Sequence, residues 1–257
     1  MITDLPQLLD ALPAGTLPPG RLVTPEDGGP PPYWLSDGPV EPALWARLRA
    51  RHPETGLWPL ALSGMRSEES RPWAEGEVAP GRMSSPDRHD PADLLARWWG
   101  EDEQNADFAE VVAPLGVRWP GPADPGQPAG TPGEFADEYV DFLADGRTRL
   151  GLVPAARGAD ALAVTGWSGP VNFTNDTAEI AAVVRSWEER FGARVVGLGF
   201  DTLHLSVAAP PTSPEHALRV AAEHFAFCPD NVRQGSGTLA AYAEQIRGMN
   251  CWAFWWD

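Results

Sequence analysis

The sequence predicts an α+β protein, with a C-terminal split β-α-β-β-α-β sheet of ferredoxin-like pattern, one extra helix, and an N-terminal α+β lobe packed against it. Three observations carry this expectation. Runs of β-branched and aliphatic residues alternate with amphipathic helical runs through the second half of the chain. A proline- and glycine-rich stretch, Trp119 to Gly133, separates that half from the first. The closing CWAFWW is apolar on both faces of a strand, so each face needs a cover. The expected division is residues 1–118 as an acidic N-terminal lobe, 119–133 as a linker and 134–257 as a C-terminal domain.

In the first lobe Arg21–Thr24 and Tyr33–Ser36 read as short strands around the turn-rich EDGGPPP. Glu41–His52 reads as a helix, with Pro42 in its first turn and Gly56 beyond its end. Leu57–Leu62 follows as a strand, and Met65–Asp90 as a long surface loop. Asp90-Pro91 starts a helix through Trp98 and Trp99, and a short apolar helix lies around Phe108–Val112. Beyond the linker, Glu134–Leu143 reads as a helix and Ala159–Thr165 as a strand.

Asp176, with Glu179 three positions on, opens a helix whose apolar face is Ile180, Val183, Val184, Trp187 and Phe191, and Gly192 stops it. Arg194–Phe200 and Leu203–Val207 form a hairpin turning at Asp201-Thr202. Ser213-Pro214-Glu215 opens the next helix by cap, first-turn proline and early acid. A further helix covers Thr238–Arg247, and Cys251–Trp256 is the last strand. It places Trp252, Phe254 and Trp256 on one face and Cys251, Ala253 and Trp255 on the other. We expect both faces to be shielded, by the N-terminal lobe or by a sister subunit in a homodimer.

The chain of 257 residues has 36 acids and 19 basic residues, a net charge of −17. All 19 are arginine. The absence of lysine excludes Schiff-base chemistry, a P-loop lysine and a kinase-type strand lysine. The acidity opposes binding to nucleic acid and to anionic membrane. It is concentrated in residues 1–150, with 25 acids and 12 arginines, which would speed association with a basic partner protein. The amino terminus lacks the basic start of a secretory signal and no apolar run spans a bilayer, so a cytoplasmic location is expected. The two cysteines are expected to be reduced thiols.

The second half carries the runs GLVPAARGADALAVTGWSG, NFTNDTAEIAAVVRSWEERFGARVVGLGFDTLHLSVAAPP, EHALRVAAEHFAFCPDN and the closing WAFWWD. It resembles the bacterial, largely actinobacterial, family of domain of unknown function 4253, most densely from Arg149 to Asp257. LPPGRLVT, WARLRARHPETGLWPL and RMSSPDRHDPADLLARWW look like the upstream motifs of longer members. The resemblance implies no activity, cofactor or catalytic set. Arg233 stands where it would place a tryptophan.

Candidate chemistry is therefore read from the residues. Asp201 and His204, beside the hairpin turn, are the catalytic candidates, as a carboxylate and imidazole suited to acid–base work in a pocket between the lobes. Asp201 is equally a good turn residue, and His204 alternates outward from Leu203 and Leu205. Trp167, Asn172, Asn175 and Asp176, in a loop before a helix start, are the ligand-binding candidates, against the simpler account that they form turns and a cap. His224 and Cys228, one helical turn apart, with Cys251 or His204 as further ligands, are the only suggestion of a metal site; with no CxxC, HExxH or second histidine pair to support it, no metal and no cofactor are expected. No GxSxG elbow or dinucleotide loop is present, since Gly197 and Gly199 lead into a strand. The leading expectation is a binding or accessory protein of inhibitor, immunity or regulatory type. The alternative is an enzyme acting on a small polar substrate.

Overall fold

The computed structural model describes residues 4–257. The strands are β1 (Gly20–Val23), β2 (Tyr33–Pro39), β3 (Leu57–Leu62), β4 (Arg149–Pro154), β5 (Arg194–Leu198), β6 (Thr202–Ser206) and β7 (Cys251–Trp255). They form one sheet in the order β1-β2-β4-β3-β5-β6-β7. Neighbours are antiparallel except β3 and β5, which run parallel with Ala61 opposite Gly197 and Leu62 opposite Leu198. The helices are α1 (Leu5–Asp10), α2 (Pro42–Thr55), α3 (Pro91–Asp102), α4 (Phe108–Val111), α5 (Pro132–Leu143), α6 (Ala161–Thr165), α7 (Thr177–Phe191), α8 (Pro214–Phe227) and α9 (Leu239–Ile246).

The α+β class holds, and the order β4-α7-β5-β6-α8-β7 supplies the β-α-β-β-α-β succession. Its sheet is not arranged in the ferredoxin-like way. β7 pairs with β6, and β3, from the N-terminal part, occupies the place between β4 and β5. With neighbours on both edges and helices over both faces, all six residues of β3 are buried, as its unbroken apolar run LWPLAL allows. The strand expected at Ala159–Thr165 is instead α6, because a short apolar run has no period that separates a buried strand from a buried helix. Thr165 Oγ1 donates back to Ala161 O at 2.7 Å, and Gly166, at φ +67°, ends the turn. The true first strand, β4, is broken in sequence by Gly151 and Pro154. A Cβ at Gly151 would collide with the Leu62 side chain, so the glycine is what lets β4 lie against β3.

Alternation along the central strands builds two cores. Leu60, Leu62, Val153 and Val195 join the core under α3, α7 and α8, whereas Ala61, Leu150, Leu152 and Val196 join the one under α2 and α5. The helix starts follow local capping chemistry. Asp90 Oδ1 accepts from Ala92 N and Asp93 N, and Ser213 Oγ from His216 N. Thr131 and Glu134 form a reciprocal capping box on α5. At α7 Asp176 caps Ala178 N, while Glu179, expected to complete a box, instead accepts from Thr174 Oγ1 at 2.8 Å and pairs with Arg97.

Residues 119–131 contain neither helix nor strand, as their prolines and glycines require, yet they are docked. Glu223, fully buried, accepts from Ala123 N, from Trp187 Nε1 and from both terminal nitrogens of Arg190 at 2.6 to 2.8 Å. Gly126 N donates to Arg190 O and Ala129 N to Ala208 O. The segment is thereby strapped along α7 and α8.

The last strand departs from the expected two-sided burial. Trp252, Phe254 and Trp256 are buried against Trp187, Phe191, Phe227 and Trp167. Ala253 is exposed and Trp255 is 38% exposed. The physical reason is reach: α5 packs on β5 and β6, while β7 lies one strand further out at the edge of the sheet.

Candidate functional site

That uncovered corner is where side chains from both halves of the chain meet. A cleft of about 800 Å³ is bounded by the segment leaving β3 (Ser63–Ser67 and Glu69), by Asp145 and Arg147 after α5, by the β5–β6 turn from Gly199 to Thr202, and by His204 and Trp255. A smaller hollow of about 200 Å³ shares Ser63, Asp145 and His204 with it and adds Phe142, which is 81% exposed.

Each wall is fixed by backbone bonds. Ser63 N donates to Leu198 O at 3.0 Å, and Trp73 Nε1 donates to Ser63 O at 3.0 Å, holding the β3 exit against β5. Gly199 N closes the hairpin on Thr202 O at 2.7 Å. Trp167 Nε1 donates to Gly199 O at 2.9 Å from beneath. Asp145 Oδ1 accepts from Arg147 N and Thr148 N, each at 2.9 Å, and these amides hold its carboxyl below the usual carboxylate range.

The two catalytic candidates both line the cleft. Asp201 Oδ1 accepts from Thr202 Oγ1 at 2.9 Å and Oδ2 from Trp255 Nε1 at 3.2 Å, so the carboxylate orients the indole of the neighbouring strand. His204 projects from β6 on the face opposite buried Leu203 and Leu205, and its Nδ1 lies 3.0 Å from the Tyr139 hydroxyl on α5. Burial pushes the imidazole down to about 4, so it is neutral near pH 7.

The ligand-binding candidates stand elsewhere. Trp167 is wholly buried, edge-on to Trp256 with ring centres 5.8 Å apart. Asn172 Nδ2 donates to Asp257 O at 2.9 Å, Asp176 caps α7 and also accepts from Ser84 N, and Asn175 is exposed. Their placement is that of turn, cap and core residues.

His224 and Cys228 are each engaged by other partners. His224 Nδ1 meets the Tyr242 hydroxyl at 3.2 Å inside a box of Trp187, Trp252 and Phe254, and burial, with Arg190 adding to it, holds its pKa well below the usual value. Cys228 Sγ donates to Trp255 O at 3.0 Å, and burial pushes the thiol up to about 12, far from the thiolate that a metal requires. Among the described residues there is no group of three or more His, Cys, Asp or Glu side chains placed to hold a metal ion. Both cysteines are free thiols.

Sequence reasoning passed over Ser63, Tyr139, Asp145 and Trp255. Tyr139 has the only available sequence signal, a polar-tipped aromatic on the buried stripe of an amphipathic helix, which needs a partner for its hydroxyl.

The resemblance seen in the sequence has a definite extent. Residues 149–257 match the family described as Domain of unknown function (DUF4253). No curated protein and no solved structure matches the chain. The DUF4253 match begins at the first residue of β4 and includes the β5–β6 turn, His204 and Trp255, whereas Ser63–Glu69, Tyr139, Asp145 and Arg147 lie outside it. β3, which separates β4 from β5 in the sheet, also lies outside it. No helix among the described residues is long and apolar enough to cross a membrane.

Proposed function

We propose that the protein binds, and acts by acid–base chemistry on, a small polar ligand held in the cleft between the β3 exit and the β6–β7 corner. The observation that carries this reading is the convergence of Asp201, His204 and Trp255 on one concavity whose opposite wall comes from the other half of the chain. His204 is the acid–base group. Its Nδ1 is engaged by Tyr139, so a ligand in the cleft meets the neutral ring through Nε2. Asp201, bonded to Trp255 and Thr202, positions the aromatic wall. A mixture of small polar fragments observed by ¹H–¹⁵N NMR tests this. Binding fragments are expected to move the amides of Ser63–Ser67 and Gly199–His204, and His204→Gln to weaken them at least fivefold. Fragments that bind only at other surfaces would overturn the reading.

A second reading is an accessory protein engaging a basic partner. It is supported by the net charge of −17 and by Phe142, exposed beside Asp141 and Asp145 at the rim of the same corner. Binding of an arginine-rich peptide that vanishes between low and high salt, with shifts centred on Phe142, would favour it. Shifts spread evenly over the acidic surface would speak for nonspecific attraction.

A further inference from the structure

We infer that the cleft's ligand carries an organic cation, a primary ammonium or a comparable positively charged nitrogen, seated between the ring of Trp255 and the Nε2 edge of His204. This rests on the cleft being a ligand site, as proposed above, and adds the chemical class of the ligand.

Trp255 provides the first argument. Its indole Nε1 is already donated to Asp201, so the ring cannot serve a ligand as a donor; what it offers is its π surface, and it is 38% exposed where the cleft opens. A π face attracts a cation and gives nothing comparable to an anion. A carboxylate on the indole nitrogen fixes the ring and enriches its face in electrons.

His204 provides the second. A protonated imidazole would repel a cation, but this one is half-buried and neutral; we assign it the tautomer that donates Nδ1–H to Tyr139 Oη, 3.0 Å away, which leaves Nε2 as a lone-pair acceptor. An ammonium has three donors and no acceptor, so it suits such a group.

The charge balance provides the third. Three carboxylates line the cleft, from Glu69, Asp145 and Asp201, against two guanidinium groups, from Arg66 and Arg147. Arg147 is already shared between Glu69, at 3.4 Å, and Asp145, at 3.9 Å. Arg66 is exposed at the rim. An incoming anion would meet more negative than positive charge, inside the field of a chain with net charge −17.

Three probes of one shape decide the matter: n-butylammonium, butyrate and n-butanol, each titrated into the full ¹⁵N-labelled chain at constant ionic strength. Butylammonium is expected to shift the Trp255 indole N–H and the His204 amide saturably, at least tenfold more tightly than butyrate. Asp201→Asn is expected to weaken it about tenfold, and the rim variant Glu69→Gln, which leaves the hairpin bonds untouched, about threefold. Butyrate or butanol binding in the cleft as tightly as the amine would overturn the cationic assignment while leaving the ligand site standing. Failure of all three to move any cleft resonance would remove both.

Discussion

Asn231 completes the edge of the sheet for Trp255: its Oδ1 accepts from Trp255 N at 3.2 Å while its Nδ2 donates to Ala253 O at 2.7 Å. One side-chain amide thus supplies the acceptor and donor that a further strand would bring to β7. Asn231 opens a π-helical turn (Asn231–Ser236) anchored by Arg233, which pairs with Asp102 at 2.5 Å and Asp107 at 3.0 Å. An uncapped edge is a template for pairing with another chain. Asn231→Ala is expected to cost about 0.5–1.5 kcal/mol, the net worth of a hydrogen bond whose exposed backbone partners water can take over. It is also expected to produce concentration-dependent dimers by light scattering. A monomeric variant with unchanged urea midpoint would refute the edge-capping role.

Glu223 and Arg190 form the most consequential buried ion pair, because Glu223 also holds Ala123 N and Trp187 Nε1. Removing one partner of such a pair leaves the other charge without compensation. Glu223→Ala should destabilise by about 3–5 kcal/mol and make residues 119–131 the first site of limited proteolysis. The pair Glu223→Leu with Arg190→Met removes both charges together and should recover at least half of the loss. If the single variant unfolds at the wild-type denaturant concentration, the strap is not held as described.

The limits of sequence reading follow from which interactions are local. Gly56, Gly192, Asp90 and Ser213 ended or began helices where the sequence placed them, because caps are settled within a few residues of chain. The insertion of β3 between β4 and β5 is settled by pairing across a separation of more than 80 residues, for which LWPLAL holds no address. No strand is read at Arg149–Pro154, where Gly151, the residue that lets β4 pack against β3, interrupts the apolar run. Asp201 and His204 were visible as chemistry, but the Tyr139 contact, 65 residues away, was not. The exposed face of Trp255 was missed because an aromatic strand looks alike whether one side or both are covered.

His204 and His224 give stability a pH dependence of known sign. Burial lowers both, His204 to about 4 and His224 well below the ordinary value. The unfolded chain titrates them near ~6.5. Between those values the unfolded state takes up protons that the native state refuses, so stability is full above pH 6.5 and falls as the pH drops toward 4. Over the window from pH 6.5 to 5 the two together should remove about 1–3 kcal/mol, allowing for the partial solvent access of His204 and for Glu188, whose carboxyl is pushed up by burial and which offsets part of the loss. Urea midpoints at pH 7.5, 6.5, 5.8 and 5.0 read this directly. His204→Gln should flatten the slope, and a wild-type midpoint constant across the window would contradict neutral burial of both rings.

Gly126 and Gly100 separate the docked strap from an ordinary helix surface. A Cβ at Gly126 would collide with the Ala209 carbonyl, against which the strap runs, and Gly126 N already donates to Arg190 O at 3.0 Å. The strap would have to lift, and through Ala123 that would disturb Glu223. Gly126→Ala is therefore expected to destabilise by about 1–3 kcal/mol, the range for overpacked sites. Gly100 is exposed inside α3, and a Cβ there meets nothing within 4 Å. Gly100→Ala should instead stabilise by about 0.5–1 kcal/mol, since the substitution removes backbone freedom from the unfolded chain alone. Opposite shifts in thermal midpoint are expected from the same chemical change, and a neutral Gly126→Ala would show that the 119–131 segment rests on the helices without being fastened to them.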